Sequence, residues 1–275
     1  MYNCKLISKP NYLKMNTIES LLQKIESAKD LDFGIIFSES IELFKKTWLQ
    51  GFLMFLFTML IMLPIIIIFY IPFLGVLLAQ QETGYTDASG FESFFAGMSI
   101  LYVLVVIIAA LVLGAVSIAI NAGFYRIMRK IDNNEQVVTR DFFHFVKKDY
   151  LGKIFMIMLV TIGIAIPSAL LCYIPLIYTM VPLSFFVVFF AFNPHLTIKE
   201  IVKASFKLGN KKWLISFGLI VVSALLANIV GYLLCGIGLF FTAAFAYHPI
   251  YLIYKKVIGF DEQSAIDEIG TVVEE

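Results

Sequence analysis

The residues that could do chemistry in this chain are few and far apart. His144, His195 and His248 are its three histidines, and no two stand at the spacing that would present paired metal ligands on one helix face. A di-iron or other haem-free iron oxygenase draws on a cluster of histidines and carboxylates, so this supply argues against a membrane-bound oxygenase. Cys4, Cys172 and Cys235 have no paired spacing, and two lie inside apolar runs; neither a zinc site nor a disulfide framework is supported. A metalloprotease His-Glu-x-x-His, a Gly-x-Ser-x-Gly elbow, a P-loop and a Gly-x-Gly-x-x-Gly fingerprint are all missing. What remains is a set of polar groups inside apolar runs: Asn121, Asn228 and His248. Their expected role is a buried contact, either a hydrogen bond between helices or a ligand contact. No cofactor and no catalytic residue are expected.

The elements that carry these residues are set by composition. Of 275 residues, 60% are hydrophobic and only 15% charged, with a mean hydropathy of +0.88. A soluble domain of this size has about 25% charged residues, so lipid is the expected solvent. Three times the chain repeats a lysine pair followed by an aromatic residue and a long neutral run. The copies are Lys45, Lys46 and Trp48, then Lys147, Lys148 and Tyr150, then Lys211, Lys212 and Trp213, all expected as membrane-interface anchors. No cleavable signal peptide fits, because the first apolar run starts too late and is too long.

Taken in order, residues 1–29 form a cytoplasmic segment in which Met15 is a candidate start. Thr17 is placed to cap a helix carrying Ile18, Leu21, Leu22 and Ile25. Residues 30–258 form the membrane domain, and 259–275 an acidic cytoplasmic tail. Phe37, Ile41, Phe44 and Trp48 predict a helix lying in the inner interface. Thr47 to Gln81 is uncharged over 35 residues, although about 20 cross the hydrocarbon, so a kink at Pro64 or Pro72, or a re-entrant piece, is expected. Residues 82–92 read as an external turn. A second interfacial helix is expected from a Thr139 cap through Phe142, Phe143, Val146 and Tyr150. The neutral run from Ile154 to Ile198 predicts two spans with an external turn near Cys172 to Pro175. Thr197 with Glu200 is a capping box for a third interfacial helix that Gly209 would stop. Trp213 to Tyr254 again predicts two spans, with the turn at Leu234-Cys235-Gly236-Ile237-Gly238.

The fold class is therefore all-α, a polytopic transmembrane bundle of six spans in three repeats of interfacial helix plus hairpin. All 21 lysines and arginines then fall on one side, so both termini are expected in the cytoplasm and the protein in the cytoplasmic (inner) membrane as a multi-pass chain. Two ridges of small residues, Ala115-Ala119-Gly123 and Ser223-Ala227-Gly231-Cys235, are expected at helix contacts, so Gly231→Leu should lower stability in detergent. The expected partners are a bilayer with anionic headgroups and a membrane protein or second copy; no nucleic acid is expected.

Phe33-Gly34 and Ser38 ahead of Lys45-Lys46, the Gly123-Phe124-Tyr125-Arg126 exit, and Ala204-Ser205-Phe206 before Trp213 with Gly236-Ile237-Gly238 downstream carry a resemblance. Over residues 30–258 the chain resembles a group of uncharacterised bacterial six-span membrane proteins, similar to the membrane domain joined to some glycerophosphoryl diester phosphodiesterases. The catalytic domain of those enzymes has no counterpart here, so the resemblance implies the membrane domain without hydrolase chemistry. The expected function is a non-catalytic membrane-embedded interaction or organising module. The alternative is a carrier or exporter of an apolar or lipid-like molecule, which an apolar cavity beside Asn121 or Asn228 would favour.

Overall fold

In the computed structural model, residues 16–83, 100–171 and 173–260 are described. They are all-helical: α1 (Ile18–Glu26), α2 (Phe33–Thr83), α3 (Ile100–Asp132), α4 (Lys148–Leu170), α5 (Ile174–Phe192), α6 (Ile198–Lys211), α7 (Trp213–Leu233), α8 (Leu239–Thr242) and α9 (Tyr247–Val257). Five of these are long and apolar enough to cross a membrane: α2 over Phe33–Ile68, α3, α4, α5 and α7. The chain is a multi-pass membrane protein. The external turn at 82–92 lies almost wholly outside the described residues. Residues 1–15, with the candidate start Met15, the acidic tail beyond Phe260 and Cys172 also lie outside them.

The three units are not built alike. The first predicted interfacial helix is not separate: α2 runs unbroken for 51 residues, about 76 Å, through Pro64 and Pro72. Ending a helix at the membrane surface would expose four carbonyls; the unbroken ladder of α2 leaves none there. The second shrinks to a 3-10 turn over Thr139–Phe143. Thr139 does not cap it; Asp141 does, accepting from the Val138 amide at 3.0 Å. The third is α6, whose Thr197 hydroxyl and amide both donate to Glu200 at 2.7 Å. These bonds hold the Glu200 carboxyl below its ordinary range. Thr197→Ala should cost about 1 kcal/mol in detergent unfolding. Gly209 is not a stop. It lies inside α6 against Pro182, whose Cα would sit 2.8 Å from an added Cβ.

The sixth apolar segment is broken into α8, a 3-10 turn (Ala243–Ala246) and α9. Thr242 accounts for part of this: its hydroxyl is shared between Ala227 O (2.7 Å) on α7 and Gly238 O (3.1 Å). Between α7 and α8 the chain turns through Cys235 and Gly236, both at positive φ. Only glycine adopts that backbone without strain, and Gly236 supplies it here.

The core gathers around α5. Phe185, Phe186, Phe189 and Phe190 are at most 1% exposed. They meet Phe145 from the turn before α4, Phe206 of α6 and Tyr254 of α9 at ring separations of 5.1 to 6.2 Å. Outside this packing, α1 lies over α6, burying Leu21 and Ile25 completely.

Candidate functional site

Where the first turns of α2 meet the C-terminal ends of α3 and α9, they frame a cleft of about 310 Å³. Glu39, Glu42 and Lys46 come from one face of α2, Asp132 from the last residue of α3, and Lys255 and Lys256 from the last turn of α9. Asp132 accepts from Lys255 Nζ at 2.6 Å and from the Tyr251 hydroxyl at 2.8 Å. Lys256 pairs with Glu39 at 2.8 Å, and Lys45 with Glu42 at 2.7 Å. The Asp132 and Glu39 bridges tie α9 to α3 and to α2, the Glu42 pair lies within α2, and the cleft carries both signs of charge. It can hold an ionic or zwitterionic group; no histidine or cysteine lines it.

One turn deeper, below Leu43 and Leu252, lies His248, completely buried. Its Nδ1 faces only carbonyls, Ala244 O at 3.1 Å and Phe245 O at 3.2 Å. Nδ1 therefore carries the proton, and Nε2 accepts from the Thr47 hydroxyl at 2.7 Å. Phe44, Phe124 and Phe245 surround the ring. This is a buried polar contact joining α2 to α9. His195, by contrast, is exposed and donates from Nε2 to Asn16 O at 2.9 Å, so the two histidines do not occupy equivalent places.

The other expected site residues divide. Lys45, Lys46, Trp48, Lys147 and Lys148 are exposed, and Tyr150 is half-buried against His144 and Phe145. Lys211 donates to the Glu26 carbonyl. Lys212 is only 6% exposed in its side chain and is spent on Lys29 O (2.7 Å) and Asp30, out of reach of a headgroup. Trp213 stacks on Phe217 and donates to Tyr178 O at 3.0 Å. Ala115, Ala119 and Gly123 are buried on α3, and Ser223, Ala227 and Gly231 on α7. A Cβ at Gly231 would come within 3.0 Å of Leu239 Cα. Cys235 is off the ridge, exposed in the turn. Asn121 is half-buried, and Asn228 is an exposed residue bonded to Ala224 O of its own helix at 2.8 Å, not a buried amide.

Sequence reasoning missed Asp132 and Lys153. Asp132 is the lone acid at the end of a basic helix terminus. Lys153 stands alone just inside α4 and donates to Pro194 O (2.5 Å) and Leu196 O (2.9 Å), closing the α5–α6 turn.

Among the described residues no group of three metal-ligating side chains converges. No family model, curated protein or solved structure matches the chain.

His144, in the polar segment before α4, offers a pH test. Burial, with Arg126 and Lys147 nearby, holds its imidazole below the usual value. The folded state then binds fewer protons than the unfolded one, so this stability is whole above about pH 6.5 and is lost as pH falls through that range. The thermal midpoint in detergent should fall more between about pH 7.5 and 5.5 for the parent than for His144→Phe.

Proposed function

We propose that this chain is a non-catalytic interaction or organising module of the cytoplasmic membrane, with its termini and every lysine and arginine on the cytoplasmic side. The observation that carries the reading is how the polar and apolar parts are divided. The space around α5 is filled by interlocking aromatic rings, and the charged cleft opens where α2 begins and α3 and α9 end. A filled interior suits a scaffold better than a carrier, and the amide of Asn228 is exposed and bonded to its own helix. The likeness to the phosphodiesterase-linked membrane domain belongs to the same proposal. Lysines near the surface gain about 1 kcal/mol each from anionic headgroups, which favours this side for α6 and its Lys199, Lys203 and Lys207.

Native mass spectrometry of the protein extracted with its membrane tests the module reading. Bound lipid, a membrane-protein partner or a second copy is expected; stoichiometric iron or zinc would overturn it. Reporters fused after Glu92 and after Asn134 test the threading, with external activity expected only at Glu92.

A further inference from the structure

We infer that the α4–α5 hairpin does not cross the bilayer but enters and leaves it on the cytoplasmic side, its apolar tip seated among the acyl chains of the inner leaflet. The inference rests on the threading proposed above. Length and composition alone make α4 and α5 two spans. What they pack against says otherwise.

Helix α6 runs antiparallel along α5. Phe206 meets Phe186, Gly209 presses on Pro182, and the Tyr178 hydroxyl donates to Asn210 Oδ1 at 2.6 Å. The Trp213 indole then donates to the Tyr178 carbonyl. The side of α6 turned away from α5 carries Lys199, Lys203, Lys207 and Lys211, four residues apart and all exposed. Over this helix lies α1, with Glu26 paired to Lys207 at 2.6 Å, and the Lys29–Asp30 strand of chain held by Lys212. A polar double layer therefore follows α5 from Phe189 to Tyr178.

The C-terminal end of α5 and the turn that carries Tyr178, one turn in from its start, both lie beside polar groups of this layer. At Asn193 stand Lys153, His195 and Asn16; at Tyr178 stand Asn210, Lys211 and Lys212. These two places are 15 residues apart, about 22 Å along the helix. Were α5 upright across the membrane, its companion α6 would carry a row of lysines most of the way through hydrocarbon, where each ionised side chain is unfavourable. Laid along the inner surface, α5 keeps those lysines in water. Helix α4, which starts at the same surface and is joined to α5 through residues 171–173, must return to it.

The tip fits this placement. Leu170, Leu171, Tyr173 and Ile174 are 64% to 79% exposed and carry no charge. Pro175, second in α5, has no amide hydrogen to leave unsatisfied in lipid. The occupant of this surface is the acyl region of the cytoplasmic leaflet, which the hairpin enters as a one-sided wedge.

The test uses the full chain with Cys4, Cys172 and Cys235 replaced by serine and single cysteines at Tyr178, Tyr173 or Ser89. A membrane-impermeant maleimide is applied to intact cells stripped of any outer barrier, and to inverted vesicles. Tyr178→Cys should react only in inverted vesicles, and a nitroxide at Tyr173 should report a depth in the inner leaflet. Ser89→Cys, in the segment that the sequence reads as external, should react from outside; if it does not, the threading itself fails. With Ser89 labelled outside, labelling of Tyr178→Cys from outside, or an outer-leaflet depth at Tyr173, overturns the wedge. If Tyr178→Cys reacts from neither side, a nitroxide placed there decides: the inner interface supports the proposal and the outer interface ends it.

Discussion

Gly123→Leu should leave little folded protein, while Gly152→Leu should be nearly silent. A Cβ at Gly123 would stand 2.5 Å from Phe142 O and 3.0 Å from Asp141 O, both backbone atoms. The 3-10 turn that supplies them cannot retreat freely. Asp141 is held by Lys130 at 2.9 Å and by the Val138 amide, and Phe142 is completely packed against Phe57 of α2. Forcing a side chain into such a site costs at least about 1–3 kcal/mol, and backbone displacement adds to it. Gly152 has nothing within 4 Å of an added Cβ, so the same substitution there meets open space. Fluorescence-detected size exclusion of tagged protein in mild detergent would compare them; equal recovery of both variants would show that the turn does not press on α3.

His248→Leu is the second large effect expected, about 2–4 kcal/mol in unfolding from detergent. The substitution removes the Nδ1 donor to Ala244 O and takes the acceptor from the Thr47 hydroxyl. Inside a site lined by Phe44, Phe124 and Phe245, no water replaces either bond, so the cost approaches that of unpaired buried polar groups. Thr47 has one remaining outlet, Leu43 O at 2.9 Å, which limits its own loss. Thr47→Val alone should therefore cost less than His248→Leu, and the double variant less than their sum by roughly 1 kcal/mol. Strict additivity would mean that the two side chains do not act as a pair.

Legibility followed locality. The Thr17 cap of α1 and the Thr197–Glu200 box of α6 were readable because their bonds close within three residues. The turns near 172 and 235 were readable from prolines and glycines in neutral runs of 45 and 42 residues. The contacts that tie the helices together were not. His248 finds Thr47 201 positions away, Lys255 finds Asp132 123 positions away, and Lys212 finds Asp30 182 positions away. No periodicity marks such pairs, and nothing local sets Lys212 apart from an interface lysine; its partners are the Lys29 carbonyl and the Asp30 carboxylate. The predicted helix over Thr139 to Tyr150 failed for a related reason. Its hydrophobic spacing was right, but Gly123 lets the backbone come in close, and close approach is better served by a turn than by a helix.

The sequence by itself determined the solvent of this protein. Neutral runs far longer than a soluble core helix commit the chain to lipid, because their side chains have no favourable contact with water wherever they fold. It also determined that no lysine or arginine falls inside those runs. Only tertiary structure decided how each apolar helix lies. A membrane helix gains nothing from burying one apolar face rather than another, so packing and the few polar groups set its place. Here those groups gather α2, α3 and α9 into a charged cleft and lay the lysine-bearing α6 along α5.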